Sequence, residues 1–277
     1  MSAVSFSLRR AGLIAQNTLL EAARQRLLQF FLLLALVLAL GARWLRGFDF
    51  GSPELKFLSD CGFGAMAFFG AALVVVAAAQ LFFSEIENRT VHTLLAKPVW
   101  RAEFVLGKFL GVAAIAAIFC AAMTLLIAVV LWTRESALVR EMPEAFARGR
   151  SVPYAAVFLA GALQWLRLAV LGSLVLLVAS YAGSQLFTVV TGFLLLVICQ
   201  LQYLAHDAYA RSSSAAARIL GRLVVGALPN FQLFALVDPF SGTPAHAADV
   251  ARVALYALAY IAAGCGLAAY CFRHREI

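Results

Sequence analysis

The chain has 277 residues, of which 64% are hydrophobic and 13% are charged, and its mean hydropathy is +0.91. A soluble domain is about half apolar and about a quarter charged, so this composition excludes a string of soluble domains and predicts an all-α bundle embedded in lipid. The net charge of +8 comes from basic residues spread along the polar connections, which favours lipid head groups over nucleic acid as their partner.

Residues 1–26 predict an amphipathic helix that lies in the membrane interface and forms a unit of its own. Polar residues fall on one part of its helical wheel, and apolar or small residues recur at helical spacing on another. These apolar positions are Val4, Leu8, Ala11, Ala15, Leu19 and Ala22. An ordinary charged tail is the alternative, and a signal peptide is disfavoured because the charged region is too long.

Residues 27–277 are expected to form one domain with six transmembrane helices. An apolar stretch of about 20 residues crosses the hydrocarbon core at 1.5 Å per residue. The predicted spans cover residues 27–45, 61–83, 103–132, 154–180, 185–205 and 250–272. The polar residues before the second span and the charged residues after the third are expected to be loops.

Arg167 is a charge within the fourth predicted span, where it costs at least about 2.5 kcal/mol and needs a reason. Either it faces a polar pathway, or residues 153–167 form an interfacial lead-in and the span begins after them. The lead-in is favoured, because the neighbouring Gln164 and Trp165 are residue types common at the membrane surface.

Residues 206–247 are too interrupted to span a membrane and too apolar to float free. Three prolines and several aromatic residues predict short helices or a re-entrant cap on the outer side, with a turn at Asp238-Pro239. Six spans place both termini on one side of the membrane. Basic residues are shared almost evenly between the two sides, but the arginines near both termini favour the cytoplasm for these ends.

A polar stretch at residues 84–98 separates the second and third spans. Ser84 to Glu87 match the S-x-x-E capping box, which predicts a helix that starts at Ser84, and Pro98 ends it. Glu85, Arg89 and His92 share one face of this helix, and an apolar face lies elsewhere. On composition alone, a simple interfacial connector explains the stretch equally well.

The sequence of this stretch resembles that of the type-2 permeases of ATP-binding cassette (ABC) transporters, the group that includes the permease of the nitrous-oxide-reductase maturation system. The family pattern is an acidic residue, a basic residue or glycine before threonine, "LLA-P", a basic residue and "GK". The matching positions are Glu85 or Glu87, Arg89-Thr90, Leu94-Leu95-Ala96, Pro98, Arg101 and Gly107-Lys108. The chain departs from the pattern at Asn88-Arg89, where many members have a glycine before the threonine.

This resemblance implies a bacterial inner-membrane exporter built from two permease halves, expected to be two copies of this chain, and soluble ATPase subunits. The chain itself would carry no cofactor, since ATP and magnesium would bind to the ATPase. Residues 84–98 would be a cytoplasmic coupling helix that sits in a groove on the ATPase. The implied docking residues are Glu85, Glu87, Arg89, His92, Leu94, Leu95 and Lys97. The resemblance does not identify a substrate.

The chain lacks the G-x-x-x-x-G-K-[ST] motif that binds ATP, so we expect no ATPase activity of its own. Lys108 is instead expected to extend to the lipid head groups. Gly107 and Gly111 form a GxxxG pattern, which favours close helix packing but is also common by chance in apolar segments.

Three other classes of protein remain as alternatives. An intramembrane enzyme would need clustered catalytic groups. His206 and Asp207 lie together at the outer end of a predicted span and Asp238 stands beside Pro239, which is a thin set for catalysis. An ion-coupled secondary transporter would use deep carboxylates, and no Asp or Glu lies deep within a predicted span. A membrane scaffold is the third. Five cysteines without a CxxC pair and four histidines supply no obvious metal site, and the cysteines are interpreted as packing residues.

Overall fold

The computed structural model describes residues 8–23, 25–41, 54–87, 101–141, 152–210, 226–240 and 246–273, and every regular element within these ranges is helical. The predicted all-α fold is therefore confirmed. The elements are α1 (Leu8–Ala23), α2 (Arg26–Gly41), α3 (Glu54–Glu87), α4 (Arg101–Glu141), α5 (Tyr154–Tyr181), α6 (Gln185–Ala210), the short 3₁₀-helix η1 (Phe231–Ala235) and α7 (Ala247–Arg273).

Five helices in the described ranges, α3 to α7, are long and apolar enough to cross a membrane, and they coincide with the second to sixth predicted spans. The apolar part of α2, Gln29–Gly41, is shorter. The whole of α2 has 16 residues and extends about 24 Å, less than the roughly 30 Å of a hydrocarbon core. The first span is therefore helical where it begins, its last residues lie outside the described ranges, and the count of six stays a prediction.

The helices α3 and α4 are longer than their predicted spans, because charged side chains hold their ends together. α3 begins at Glu54 and α4 continues to Glu141, so the loops predicted there are partly helical. Arg134 Nε donates to Glu54 Oε1 at 2.6 Å, and its Nη2 donates to Oε2 at 3.0 Å. Hydropathy marks such charges as loop residues, whereas this two-pronged pair neutralises them within helices.

The link from α4 to α5 is fixed by one buried carboxylate. Glu135 Oε1 accepts a hydrogen bond from the backbone N–H of Val152 at 3.1 Å, and Oε2 accepts one from the Tyr154 hydroxyl at 2.8 Å. Glu135 is fully buried, and a buried carboxylate is tolerated only with such donors. The end of α4 thereby determines where α5 begins.

The centre of the bundle is α5, which contacts α3, α4, α6, α7 and η1. From Leu168 to Ser180 every residue except Leu177 is buried. Small residues allow the close approach: a Cβ on Gly172 would lie 3.3 Å from Val74 and 3.4 Å from Val112. A helix that is apolar on all sides is expected to be buried on all sides, and the second half of α5, from Leu168 to Ser180, is.

No break separates a lead-in from a span near Arg167, because α5 is one uninterrupted helix. The next residue, Leu168, packs against Gly70, which is halfway along α3 (Glu54–Glu87): a Cβ on Gly70 would lie 2.7 Å from Leu168 Cδ1. The preferred sequence interpretation, a surface lead-in that ends at Arg167, is therefore wrong. The reason is that Arg167 finds polar partners inside the bundle, which residue types alone could not show.

Candidate functional site: the α3–α4 junction

The predicted coupling helix lies between α3 and α4, and the structure describes its two attachments. Glu85 and Glu87 belong to the last turn of α3, and α4 begins at Arg101. The remaining predicted docking residues, Arg89, His92, Leu94, Leu95 and Lys97, lie outside the described residues. We use the term α3–α4 junction for the last turn of α3, the first three turns of α4 and the side chains that contact them.

Ser84 does not cap a helix, which corrects the capping-box prediction. It lies inside α3, three residues before the end of that helix. Its Oγ donates a hydrogen bond to Glu21 Oε1 of α1 at 2.8 Å. The sequence pattern was wrong because the second span and the start of the polar stretch form one continuous helix, so no helix begins at Ser84.

The GxxxG pattern of α4 makes a close helix contact, which is one of the two possibilities that the sequence left open, and its partner is α1. A Cβ on Gly107 would lie 2.6 Å from Ile14 Cβ, and a Cβ on Gly111 would lie 2.5 Å from Thr18 Cγ2. The Thr18 hydroxyl donates to Ile14 O within α1 at 2.8 Å, which leaves its methyl group for Gly111. α1 therefore lies directly against the first turns of α4.

The N-terminal helix is confirmed as a helix, but its apolar face packs on protein. Ala11 and Ala22 are buried as the wheel suggested, together with Thr18, which the pattern did not include. Leu13 and Leu20 lie on another face and are 60% and 53% exposed. These two leucines are the apolar side chains that α1 can offer to lipid, and its location in a membrane interface stays a prediction.

The prediction that Lys108 extends outwards to the lipid head groups is wrong, since its side chain is completely buried. Its Nζ lies 5.8 Å from the centre of the Phe104 ring, within the range of a cation–π interaction. Glu103, five residues earlier in α4, is also completely buried. The junction thus contains charges of both signs inside the protein, because α1 covers the start of α4.

Three phenylalanines tie the junction to the far end of the chain. The Phe82 ring of α3 lies 5.9 Å from Phe104 of α4 and 5.6 Å from Phe272 of α7, and the rings of Phe104 and Phe272 are 5.4 Å apart. Such contacts add to the burial of the rings. The end of α7 and the helix α1 consequently lie at the same end of the bundle, and the sequence pattern contained no signal for this cluster.

The segment before α7 forms a second polar region, away from the junction. Gln202 Nε2 donates to Leu228 O at 2.6 Å, the Tyr260 hydroxyl donates to Gly226 O at 2.9 Å, and the N–H of Asn230 donates to the Tyr256 hydroxyl at 2.8 Å. These bonds attach residues 226–230 to α6 and α7, and η1 confirms the short helix expected in this segment.

The turn predicted at Asp238-Pro239 is confirmed by a hydrogen bond within it. The N–H of Phe240 donates to Asp238 Oδ1 at 2.9 Å, which is the geometry of an aspartate turn. Residues 211–225 and 241–245 lie outside the described residues. Whether the whole segment is re-entrant stays a prediction.

Comparison with known families supports the resemblance found in the polar stretch. The sequence model of the ABC-2 family transporter proteins matches residues 11–276. No curated protein gives a match to the chain. The family match does not distinguish subgroups, so similarity to the nitrous-oxide-reductase maturation permeases stays a prediction.

Proposed function

Because this chain belongs to the ABC-2 family of transporter proteins, we propose that it is the permease subunit of an exporter driven by a separate ATPase. Its multiple apolar helices make it a multi-pass membrane protein. In this proposal ATP and magnesium bind to the ATPase, and the other permease half is a second copy of this chain. The complex lies in a bacterial inner membrane. Both termini would then be cytoplasmic, on the side of the α3–α4 junction.

The observation that carries this proposal is the way both helices at the junction are held. A docking segment transmits motion only if the helices beside it are rigid and move together. α1 holds α3 through the Glu21–Ser84 hydrogen bond and holds α4 through Gly107 and Gly111. The phenylalanine cluster adds α7. A push on residues 88–100 would therefore reach α1, α3, α4 and α7 as one unit.

The length of α4 supports a lever that acts across the bundle. Its 41 residues extend about 60 Å, roughly twice the thickness of a hydrocarbon core. One end lies at the junction, and the other is fixed to α3 by the Arg134–Glu54 pair. A displacement at the ATPase side would thus be transmitted to the opposite face of the membrane, where an exporter must open.

Substitutions that reverse or introduce a charge in the docking segment test the proposal. We expect Glu85→Lys, Arg89→Glu and Leu94→Asp to reduce the ATPase that co-purifies with the chain and the ATP turnover of the complex by at least fivefold. The physical reason is that each change removes a charge or an apolar contact that the groove would recognise, worth about 1–3 kcal/mol. Quantitative mass spectrometry of the detergent-solubilised complex measures the association.

The matched control is Arg252→Glu, because Arg252 is 80% exposed and lies near the start of α7, at the end opposite the junction. It reverses a charge without touching the docking segment, so association and turnover should stay at the wild-type level. Unchanged association in all three docking variants would refute the coupling role. Substrate flux driven by a proton or sodium gradient without ATP would instead identify an ion-coupled transporter, and a stable complex without flux a scaffold.

A further inference from the structure

Arg167 carries a charge that its protein surroundings do not neutralise. Its Nη2 donates to Gln200 Oε1 at 2.6 Å, its Nη1 lies 3.5 Å from Gln164 Oε1, and its Cζ is 5.2 Å from the centre of the Phe231 ring. All three partners are neutral, and no carboxylate among the described residues forms an ion pair with Arg167. Because a guanidinium stays protonated in proteins, the cluster holds one net positive charge.

The position of this charge makes it costly. Arg167 lies within α5, one residue before Leu168, which packs against the middle of α3. Ionisable side chains at such depth are rare, and they mark binding sites and pathways when no internal partner explains them. Fixing residues 226–230 to the bundle does not require this charge, since Gln202, Tyr256 and Tyr260 already bind that segment through neutral groups.

Within the described ranges, the guanidinium of Arg167 and the neighbouring Gln164 amide have N–H donors without hydrogen-bond acceptors. Only two of the five guanidinium N–H groups have an acceptor among the described residues. Gln164 directs its oxygen towards Arg167, and its Nε2 is buried with no hydrogen-bond partner in the described part of the chain. A buried amide N–H normally donates a hydrogen bond. In the residues that the structure describes, both Arg167 and Gln164 therefore have N–H groups without an acceptor, and a negatively charged oxygen would be the strongest acceptor for them.

We propose that Arg167 and Gln164 bind a phosphate group. A guanidinium fork donates to two oxygens of an oxyanion, and the Gln164 amide is a third donor on a neighbouring turn of the same helix. A tetrahedral phosphate presents oxygens in more directions than a planar carboxylate, so it suits donors from two side chains. Gln200 holds the guanidinium from α6, and Phe231 covers one side of it.

The surroundings favour a phosphate that arrives on a lipid or another amphiphile. Leu163 and Leu168, on either side of the two donors in α5, are buried apolar residues. Gln164 and Arg167 are half-buried as whole residues, and the unmatched Gln164 Nε2 is itself buried. An amphiphile can bring its head group to this depth while its tail stays in apolar surroundings. The site goes beyond the proposed function, because binding needs no ATPase and can be measured on this chain alone.

The test uses the full chain in a neutral detergent, titrated separately with short-chain phosphatidylglycerol, short-chain phosphatidylcholine and inorganic phosphate. Native mass spectrometry counts bound ligand, and thermal unfolding reports the apparent affinity. We expect phosphatidylglycerol to bind and to stabilise the chain, and Arg167→Gln to weaken its apparent affinity at least tenfold. Arg252→Gln is the matched control, because it removes an 80% exposed arginine.

Gln164→Ala keeps the charge and removes the unmatched donor, so it tests the site even if Arg167→Gln does not fold. We expect about threefold to tenfold weaker binding in this variant. Inorganic phosphate that competes with the lipid and loses binding in the same variants would support the phosphate site and show that free phosphate also enters it. Phosphatidylglycerol binding that is equal in the wild type and in both variants would overturn the proposal. Phosphatidylcholine carries the same phosphodiester next to a choline cation, so we expect it to bind more weakly than phosphatidylglycerol and to lose binding in the same variants.

Discussion

Two glycines of α4 set the distance between α1 and the α3–α4 junction. Gly107 and Gly111 leave space for the side chains of Ile14 and Thr18, which approach where a Cβ would otherwise stand. The GxxxG spacing in the sequence indicated such a contact, but it gave no information about the partner. The partner is a helix that the sequence assigned to the membrane surface. The β-branched side chains of Ile14 and Thr18 fit the groove that the two glycines leave.

Adding one methyl group at this contact, by replacing a glycine with alanine, should weaken the packing of α1 on α4. We expect Gly111→Ala to destabilise the chain by about 1–3 kcal/mol, because the new Cβ would lie 2.5 Å from Thr18 Cγ2. Unfolding in a denaturing detergent mixture measures this change. Gly266→Ala in α7 is the control: it has nothing within 4 Å, so alanine should leave stability unchanged or raise it by up to about 1 kcal/mol. Equal responses of the two variants would show that α1 does not pack here.

At the scale of the helices, an ion pair between the ends of α3 and α4 determines how far these two helices extend. α3 and α4 continue beyond their apolar stretches, and the side chains that hold these extensions are Glu54 and Arg134. Their side chains are 28% and 14% exposed, so solvent screens this pair less than it screens a surface pair. The extension is thus a tertiary feature of two helices rather than a property of either one.

Breaking this pair should free the first turns of α3. We expect Glu54→Gln to speed amide hydrogen exchange in residues 57–63 by roughly tenfold, because Glu54 no longer offers Arg134 a charged acceptor and Arg134 keeps only the longer contact with Glu141. The exposed pair Arg252–Asp249 provides the control, since Asp249→Asn should change exchange in α7 by less than about threefold. If exchange near Glu54 stays at the wild-type rate, other contacts hold the extension.

At the scale of the whole molecule, the described parts of the two termini lie together. α1 packs on the start of α4, and Phe272 near the end of α7 contacts Phe104 in the same region. The opposite end contains the Arg134–Glu54 pair. α6 and α7 are the least buried of the spanning helices, so their outer faces are available to lipid or, as proposed, to a second copy of the chain.

Labelling of single cysteines tests which end faces the cytoplasm. In a chain whose five cysteines are replaced by alanine, we expect Arg252→Cys to react with a membrane-impermeant maleimide on intact cells. Gln16→Cys should react only after the membrane is opened. Both positions are exposed, and they lie at opposite ends of the bundle. Labelling of Gln16→Cys on intact cells would place the α3–α4 junction outside and contradict coupling to a cytoplasmic ATPase.

Apolar composition by itself determined that the chain is a helical membrane protein and placed five of its spans, because transfer into lipid depends on stretches of residues rather than on their partners. The polar stretch at 84–98 by itself indicated the permease family. In contrast, only the tertiary structure showed that Ser84 contacts α1, that Lys108 is buried and that Arg167 lies beside Gln164 and Gln200. These facts depend on which helices meet, and that is decided by side chains far apart in the sequence, which no local pattern records.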